Sequence, residues 1–198
     1  MKIGTIGAGR IGQMFARHAI AAGHHVIISN SRGPDTLRNQ VAELGEHAEA
    51  GNVTDAAAAD IVMIAVPWWK IEDALRHLPP FDGRIVIDAT NAFASYAPLR
   101  VADLGGQVSS EIVAGLVPGA RVVKAFNTAL AAVFEGDPCV GGGRTVVFLS
   151  GDDASAKKAV ADIVEAVGFA TIDLGDLATG GRIQQLGGPL AGKHLVMH

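Results

Sequence analysis

Three glycines near the start of the chain, in Gly7-Ala8-Gly9-Arg10-Ile11-Gly12, stand where an apolar strand hands over to a helix. The strand reads Lys2-Ile3-Gly4-Thr5-Ile6, and the helix runs from Gln13 to Ala22. In that context the spacing suits one task, holding the pyrophosphate of a dinucleotide. Gly7 permits the tight turn, Gly9 lets the backbone approach the phosphates, and Gly12 lets the helix pack closely on the sheet. The first helical turn offers unpaired N–H groups and the positive end of the helix dipole to the anion. The competing reading, a glycine-rich turn that binds nothing, has weight in a chain with 25 glycines in 198 residues. The strand before the motif and the helix after it argue against that reading.

The choice of dinucleotide falls to the end of the second strand, His25-Val26-Ile27-Ile28-Ser29. A site for NAD usually carries Asp or Glu there, to bond the ribose 2′-hydroxyl. This chain instead has Ser29-Asn30-Ser31-Arg32-Gly33-Pro34, with no carboxylate before Asp35. Hydroxyls and a guanidinium bind a 2′-phosphate, which a carboxylate would repel. Ser31 and Arg32 are the expected clamp, with Ser29 and Asn30 as helpers, and NADP is the expected cofactor. The alternative is a polar turn leading to a helix capped by Asp35.

Three loops after later strands should wall the nicotinamide end: Ala65-Val66-Pro67-Trp68, Thr90-Asn91-Ala92 and Ala125-Phe126-Asn127-Thr128. Ala65, Val66, Pro67 and Asn91 are expected against the cofactor. Trp68, Asn127 and Thr128 are expected against the second substrate, with Trp68 or Trp69 supplying a flat apolar face. Each tryptophan could equally be packing, and each asparagine could close a turn. No His–Asp, Ser–His or Tyr-x-x-x-Lys arrangement stands out as a proton relay, so no catalytic residue is assigned. Such a site suits hydride exchange with a redox coenzyme better than ketone reduction, which leaves an alkoxide in need of a proton. The histidines at 18, 24, 25, 47 and 77 lie away from the C-terminal ends of the expected strands and read as solvated or structural.

Alternating strands and helices position these loops. They predict an α/β fold, a doubly wound Rossmann-type, mostly parallel sheet with a small C-terminal extension. Helices are expected over Asp35–Leu44 and Trp68–Leu78, and strands over Glu46–Ala50, Ile61–Val66, Arg84–Asp88 and Arg121–Ala125. A long connection spans Ala89 to about Val108, and a short helix starts at Ser109. The extension adds a strand Thr145–Leu149, a helix Ala154–Val167 capped by Asp153, and a last strand Phe169–Asp173. One dinucleotide-binding domain over 1–198 is expected, with a core over 1–135 and an extension over 136–198. With so short an extension, the substrate should lie in an open cleft at the strand ends or between two subunits.

Composition narrows the partners. Hydrophobic residues make up 49% of the chain, so it can build a core. A net charge of −4 argues against nucleic acid. A single cysteine leaves no disulfide framework or cysteine-rich metal site, so no metal is expected. No apolar run is long enough to span a bilayer, and a cytoplasmic location is the expectation.

Several segments occur together in an order that resembles a known family. They are Ile6–Gly12, Ser29–Arg32, Ala65–Trp68, Asp88–Asn91, Val123–Thr128, Ser150-Gly151-Asp152-Asp153 and Gly168-Phe169. The chain resembles the NADPH:deazaflavin oxidoreductases, which exchange hydride between NADP and 8-hydroxy-5-deazaflavin (coenzyme F420). The resemblance implies nucleotide roles for Gly7, Gly9, Gly12, Ser31 and Arg32, and a deazaflavin cleft at Val66, Pro67 and Trp68. It also implies that the protein mainly aligns two carbons, and that the chain forms a homodimer. Lys124-Ala125-Phe126-Asn127-Thr128 is similar as well to the nucleotide domain of membrane metalloreductases, which pass hydride from NADPH to a flavin. The expected function is hydride transfer between NADPH and a planar redox coenzyme. An NADPH-dependent flavin or quinone reductase, or an NADP-binding sensor without turnover, is the alternative.

Overall fold

The computed structural model describes residues 1–198. The chain alternates as the apolar runs require. Strand β1 is Lys2–Ile6, helix α1 Arg10–Ala21, β2 His25–Ser29, α2 Arg38–Leu44, β3 Ala48–Gly51, α3 Val53–Ala57, β4 Ile61–Ile64, α4 Ile71–Leu75 and β5 Ile85–Asp88. Then follow β6 Phe93–Tyr96, β7 Leu99–Val101, α5 Ser109–Leu116, β8 Arg121–Lys124, α6 Ala131–Glu135, β9 Cys139–Val140 and β10 Gly143–Leu149. The remaining elements are α7 Ala154–Ala166, β11 Ala170–Asp173, α8 Gly180–Gln184 and β12 Val196–Met197.

Six strands form a parallel sheet in the order β3-β2-β1-β4-β5-β8. The order reverses between β1 and β4, and the crevice at that switch point is where open α/β sheets bind ligands. Strands β4 and β5 are buried at every position, as expected of strands covered by helices on both faces. Close approach at the crevice demands glycine. Gly7 holds φ +114°, and a side chain on Gly12 would run into the Gly7 carbonyl. By contrast, a Cβ on Gly9 would meet nothing within 4 Å, because that backbone faces open space.

Residues 136–198 build a second, smaller sheet in the order β11-β10-β12, with β9 also on β10. It joins the large sheet at one antiparallel bridge, Lys124 to Ser150. Its helix α7 is capped by Asp153, whose carboxylate accepts the Ala156 N–H at 2.7 Å. Ala156, Val160, Ile163 and Phe169 share a buried cluster with Ile3, Met14 and Phe15, so both sheets close over the same apolar interior.

Several boundaries differ from the sequence expectation. Helix α1 starts at Arg10 rather than Gln13, which brings the glycine motif into its first turn. Pro34–Leu37 forms a 3-10 turn before α2, and Asp35 pairs with Arg38 at 2.6 Å instead of capping. Trp68–Leu78 divides into a 3-10 turn at Trp68–Lys70 and the short α4. The connection after β5 contains the hairpin β6–β7, hidden because β7 is exposed throughout and shows no alternation. Finally, β11 is not the last strand, since β12 returns to pair with β10.

Candidate functional site

Two adjoining clefts open along the carboxyl ends of the large sheet. The first, about 780 Å³, is lined by Gly7, Ala8 and Gly9, by Asn30, Ser31 and Arg32, and by Val66 and Pro67, among others. The second, about 440 Å³, is lined by Arg10 and Ile11, by Thr90 and Asn91, and by Phe93, Tyr96, Phe126 and Leu130, among others. Gly9, Ala65, Val66 and Pro67 border both. A dinucleotide laid through them would cross at Gly9, with its adenosine half in the first cleft and its nicotinamide half in the second. Gly9 precedes the first turn of α1, which carries no acidic residue and no side-chain cap, so its N–H groups face an incoming anion.

The clamp at the end of β2 is organised by its own side chains. Asn30 Oδ1 accepts the Arg32 N–H at 2.8 Å, and Asn30 Nδ2 donates to Thr36 Oγ1 at 2.9 Å. These bonds fix the loop and leave the Arg32 guanidinium exposed, without an ion-pair partner. Ser31 is exposed beside it. Ser29 departs from its expected helper role. It is fully buried, and its hydroxyl donates to the Thr5 carbonyl at 2.8 Å, tying β2 to β1.

The opposite bank of the first cleft went unnoticed in the sequence. Lys70, Asp73, Ala74, His77 and Leu78 all line it. Their spacing of i, i+3, i+4, i+7, i+8 is that of one helical face, a pattern available in the sequence itself. His77, read there as solvated or structural, lies on this bank.

At the other end, β8 carries an unexpected turn. Phe126 adopts φ +61°, a strained conformation for a bulky residue. Its ring lines the second cleft and packs edge-on to Phe15 and Phe134. That turn sends Asn127 and Thr128 inward, so both are buried and neither lines a cleft, contrary to the substrate contacts expected of them. Asn127 acts on Asn91 instead. Its carbonyl accepts Asn91 Nδ2–H at 2.8 Å, and its own amide donates to Asn91 Oδ1 at 3.3 Å and to the Gln184 carbonyl at 2.6 Å. Asn91 does line the second cleft, held by these bonds.

Trp68 also departs from expectation. It packs against the buried cluster around β4 and β5 and lines neither cleft. Trp69 is the exposed member of the pair and meets the Tyr96 ring edge-on at 4.9 Å. Tyr96 in turn lies 5.3 Å from Phe93. The aromatic wall of the second cleft is therefore Phe93, Tyr96 and Phe126, with Trp69 behind Tyr96.

Beneath this wall lies a fully buried ion pair, Lys124 Nζ to Asp88 Oδ2 at 2.8 Å. Lys124 also donates to the Thr90 carbonyl at 3.2 Å, while Asp88 Oδ1 accepts the Thr90 N–H and hydroxyl at 2.9 and 2.6 Å. The pair ties the ends of β5 and β8 together directly below Asn91. At the mouth of the cleft, Arg10 forms a double hydrogen bond to Glu135 of α6. That contact raises the Arg10 pKa and lowers that of Glu135. No group of three or more His, Cys, Asp or Glu side chains is placed to hold a metal ion.

Comparison with known proteins agrees with this geometry. Residues 2–92 match the family model described as NADP oxidoreductase, coenzyme F420-dependent. A crystal structure of hypothetical protein SMa0349 from Sinorhizobium meliloti superposes with a TM-score of 0.92 at 44% identity, covering 100% of this chain and 97% of that one. One from Arthrobacter sp. FB24, described as a "putative F420 dependent NADP-reductase", gives a TM-score of 0.74 at 28% identity over 89% of this chain and 86% of that one. Metalloreductase STEAP3 of Rattus norvegicus is 26% identical over 189 residues, 93% of this chain and 36% of that protein. The chain thus spans about a third of the length of the curated relatives it matches.

The six-stranded parallel sheet is Rossmann-type, a fold this chain shares with NADP-dependent oxidoreductases. Residues 2–92, just under half of the chain, match the coenzyme F420-dependent NADP oxidoreductase family, a match that supports NADP as the cofactor. No helix is long and apolar enough to cross a membrane.

Proposed function

We propose that this protein is an enzyme that transfers hydride between NADPH and a planar redox coenzyme, with 8-hydroxy-5-deazaflavin as its acceptor. The observation that carries the reading is the second cleft. It continues the nucleotide trough past Pro67 and presents Phe93, Tyr96, Phe126 and Leu130 as apolar walls. NADP would lie along Gly7, Ala8, Gly9, Arg10 and Ile11, with its 2′-phosphate at Ser31 and Arg32. Bound there, it supplies the hydride. Gly12 lets α1 pack closely, and Asn30 shapes the clamp. Ala65, Val66 and Pro67, which border both clefts, would hold its nicotinamide half, and Asn91 would offer its amide to the carboxamide. The apolar walls exclude water and seat a flat ring against the nicotinamide. Holding two carbons at reacting distance is the main catalytic contribution, and no side chain needs to pass a proton. The family match and the Arthrobacter structure support this choice of acceptor.

Reduction of a flavin by the same cleft is the second reading. It is favoured by the metalloreductase relatives, which match 93% of this chain. A homodimer covering the open cleft and a cytoplasmic location complete the proposal. The test follows NADPH oxidation with deazaflavin, FAD, FMN and a quinone at matched concentrations. Turnover with deazaflavin alone supports the first reading, and turnover only with flavin or quinone replaces it with the second. Tight NADPH binding without turnover on any of the four would indicate a sensor.

A further inference from the structure

At the opposite end of the sheet, two histidines separated by 22 residues in sequence become neighbours. Strands β2 and β3 pair in parallel with Val26 opposite Ala48, which places His25 beside His47 one step earlier. The Val26 N–H donates to the His47 carbonyl at 2.8 Å, so the backbone beneath the pair is fixed. His47 Nδ1 lies 3.3 Å from His25 Nε2, and the rings meet edge-on with centroids 4.8 Å apart. Both side chains are exposed.

We infer that His25 and His47 form a two-histidine site for a divalent transition-metal ion of the zinc, nickel or copper type. Two Zn–N bonds of about 2.0–2.1 Å at a tetrahedral angle place their nitrogens about 3.3–3.4 Å apart, which is the spacing found here. At that spacing an N–H of one ring points to a lone pair of the other, the direction set by the tautomer. A metal ion takes the place of that proton and accepts both lone pairs once each ring turns by roughly 35°, the angle between the N···N line and a tetrahedral Zn–N bond. Imidazole suits these metals, and water completes the coordination because the site is open to solvent. A carboxylate lies near the outer nitrogen of His47. His47 Nε2 lies 3.8 Å from a Glu46 carboxylate oxygen, within easy adjustment of a hydrogen bond that would hold the ring with Nδ1 free.

The consequence is mechanical. Strand β3 is the outermost strand of the large sheet, paired on one side only. A metal ion joining His25 to His47 staples that edge to β2. The site lies at the amino ends of these strands, while both clefts lie at the carboxyl ends, so metal and nucleotide occupy separate places.

The test titrates the untagged, full-length protein with Zn²⁺ or Ni²⁺ by calorimetry and measures its melting temperature with and without metal. One ion per chain should bind, and bound metal should raise the melting temperature. His25→Ala and His47→Ala should each weaken binding by at least about tenfold and remove the thermal shift. Glu46→Gln should have a smaller effect, since its carboxylate is well exposed. NADPH affinity measured on the same preparations should be unchanged, which separates loss of metal from loss of fold. No saturable uptake by the wild-type chain would overturn the inference. So would uptake of the same strength in His25→Ala and His47→Ala.

Discussion

Replacing Arg32 by Ala tests the nucleotide assignment at its most specific point. The guanidinium is exposed and has no partner within the protein, so its loss strands no buried charge and should leave the fold intact. Its backbone N–H stays bonded to Asn30 Oδ1, so the loop keeps its shape around the change. Only the proposed contact to the 2′-phosphate would disappear. A charge-assisted hydrogen bond contributes about 1.5–3 kcal/mol, or roughly ten- to a hundredfold in affinity. Solvent and salt screen an exposed site, so the lower end of that range, about tenfold, is expected near physiological ionic strength. The assay is fluorescence titration of wild-type and Arg32→Ala protein with NADPH and with NADH at two salt concentrations. NADPH binding should weaken by about that factor, NADH binding should hardly move, and the difference should shrink at high salt. Equal losses for both nucleotides would refute the clamp.

Further outcomes follow from the same geometry. Gly9→Val should abolish NADPH binding yet melt like wild type, because its side chain projects into open space where phosphate would sit. Gly12→Val should instead fail to fold, because its side chain would strike the Gly7 carbonyl. Lys124→Met should cost about 3–5 kcal/mol in urea unfolding by leaving Asp88 charged and buried. Asp88→Leu combined with Lys124→Met should recover part of that loss, and no recovery would deny that the pair acts as a unit. Burial holds the His18 pKa below its usual value, with Arg17 adding to the effect and a hydrogen bond to the Phe134 carbonyl opposing it. The unfolded chain therefore takes up the His18 proton first, and stability should fall as pH drops below about 6.5. His18→Gln should show a shallower loss of urea midpoint between about pH 7 and 5. Identical slopes would remove His18 from the account.

How much of this was legible in the sequence depends on the range of the interactions. The glycine motif, the absence of a carboxylate after Ser29 and the Asp153 cap are local patterns; the motif does lie between β1 and the body of α1, and Asp153 does cap α7. Ser29 could not be resolved that way. A serine closing a strand reads the same whether its hydroxyl faces the cleft or, as here, the neighbouring strand. Asn127 and Thr128 were misplaced because Phe126 takes a left-handed backbone conformation that no sequence pattern announces for phenylalanine. Trp68 and Trp69 are adjacent, and only the 3-10 turn decides which one packs inward. The Asp88–Lys124 pair, 36 residues apart, needs the register of β5 against β8 to become visible. The face that Lys70, Asp73, Ala74, His77 and Leu78 turn to the first cleft is legible in their helical spacing.

The central claim is direct hydride transfer from NADPH to a deazaflavin carbon without a proton from the protein. The most direct measurement is a single turnover with NADPH deuterated at the transferred position, run in ordinary water with wild-type and Tyr96→Phe protein. Tyr96 carries the chain's only phenol and lines the second cleft. The account predicts full retention of deuterium in the reduced deazaflavin, at similar rates for both proteins. Loss of the label to solvent, or a Tyr96→Phe enzyme that binds both coenzymes but does not react, would contradict it.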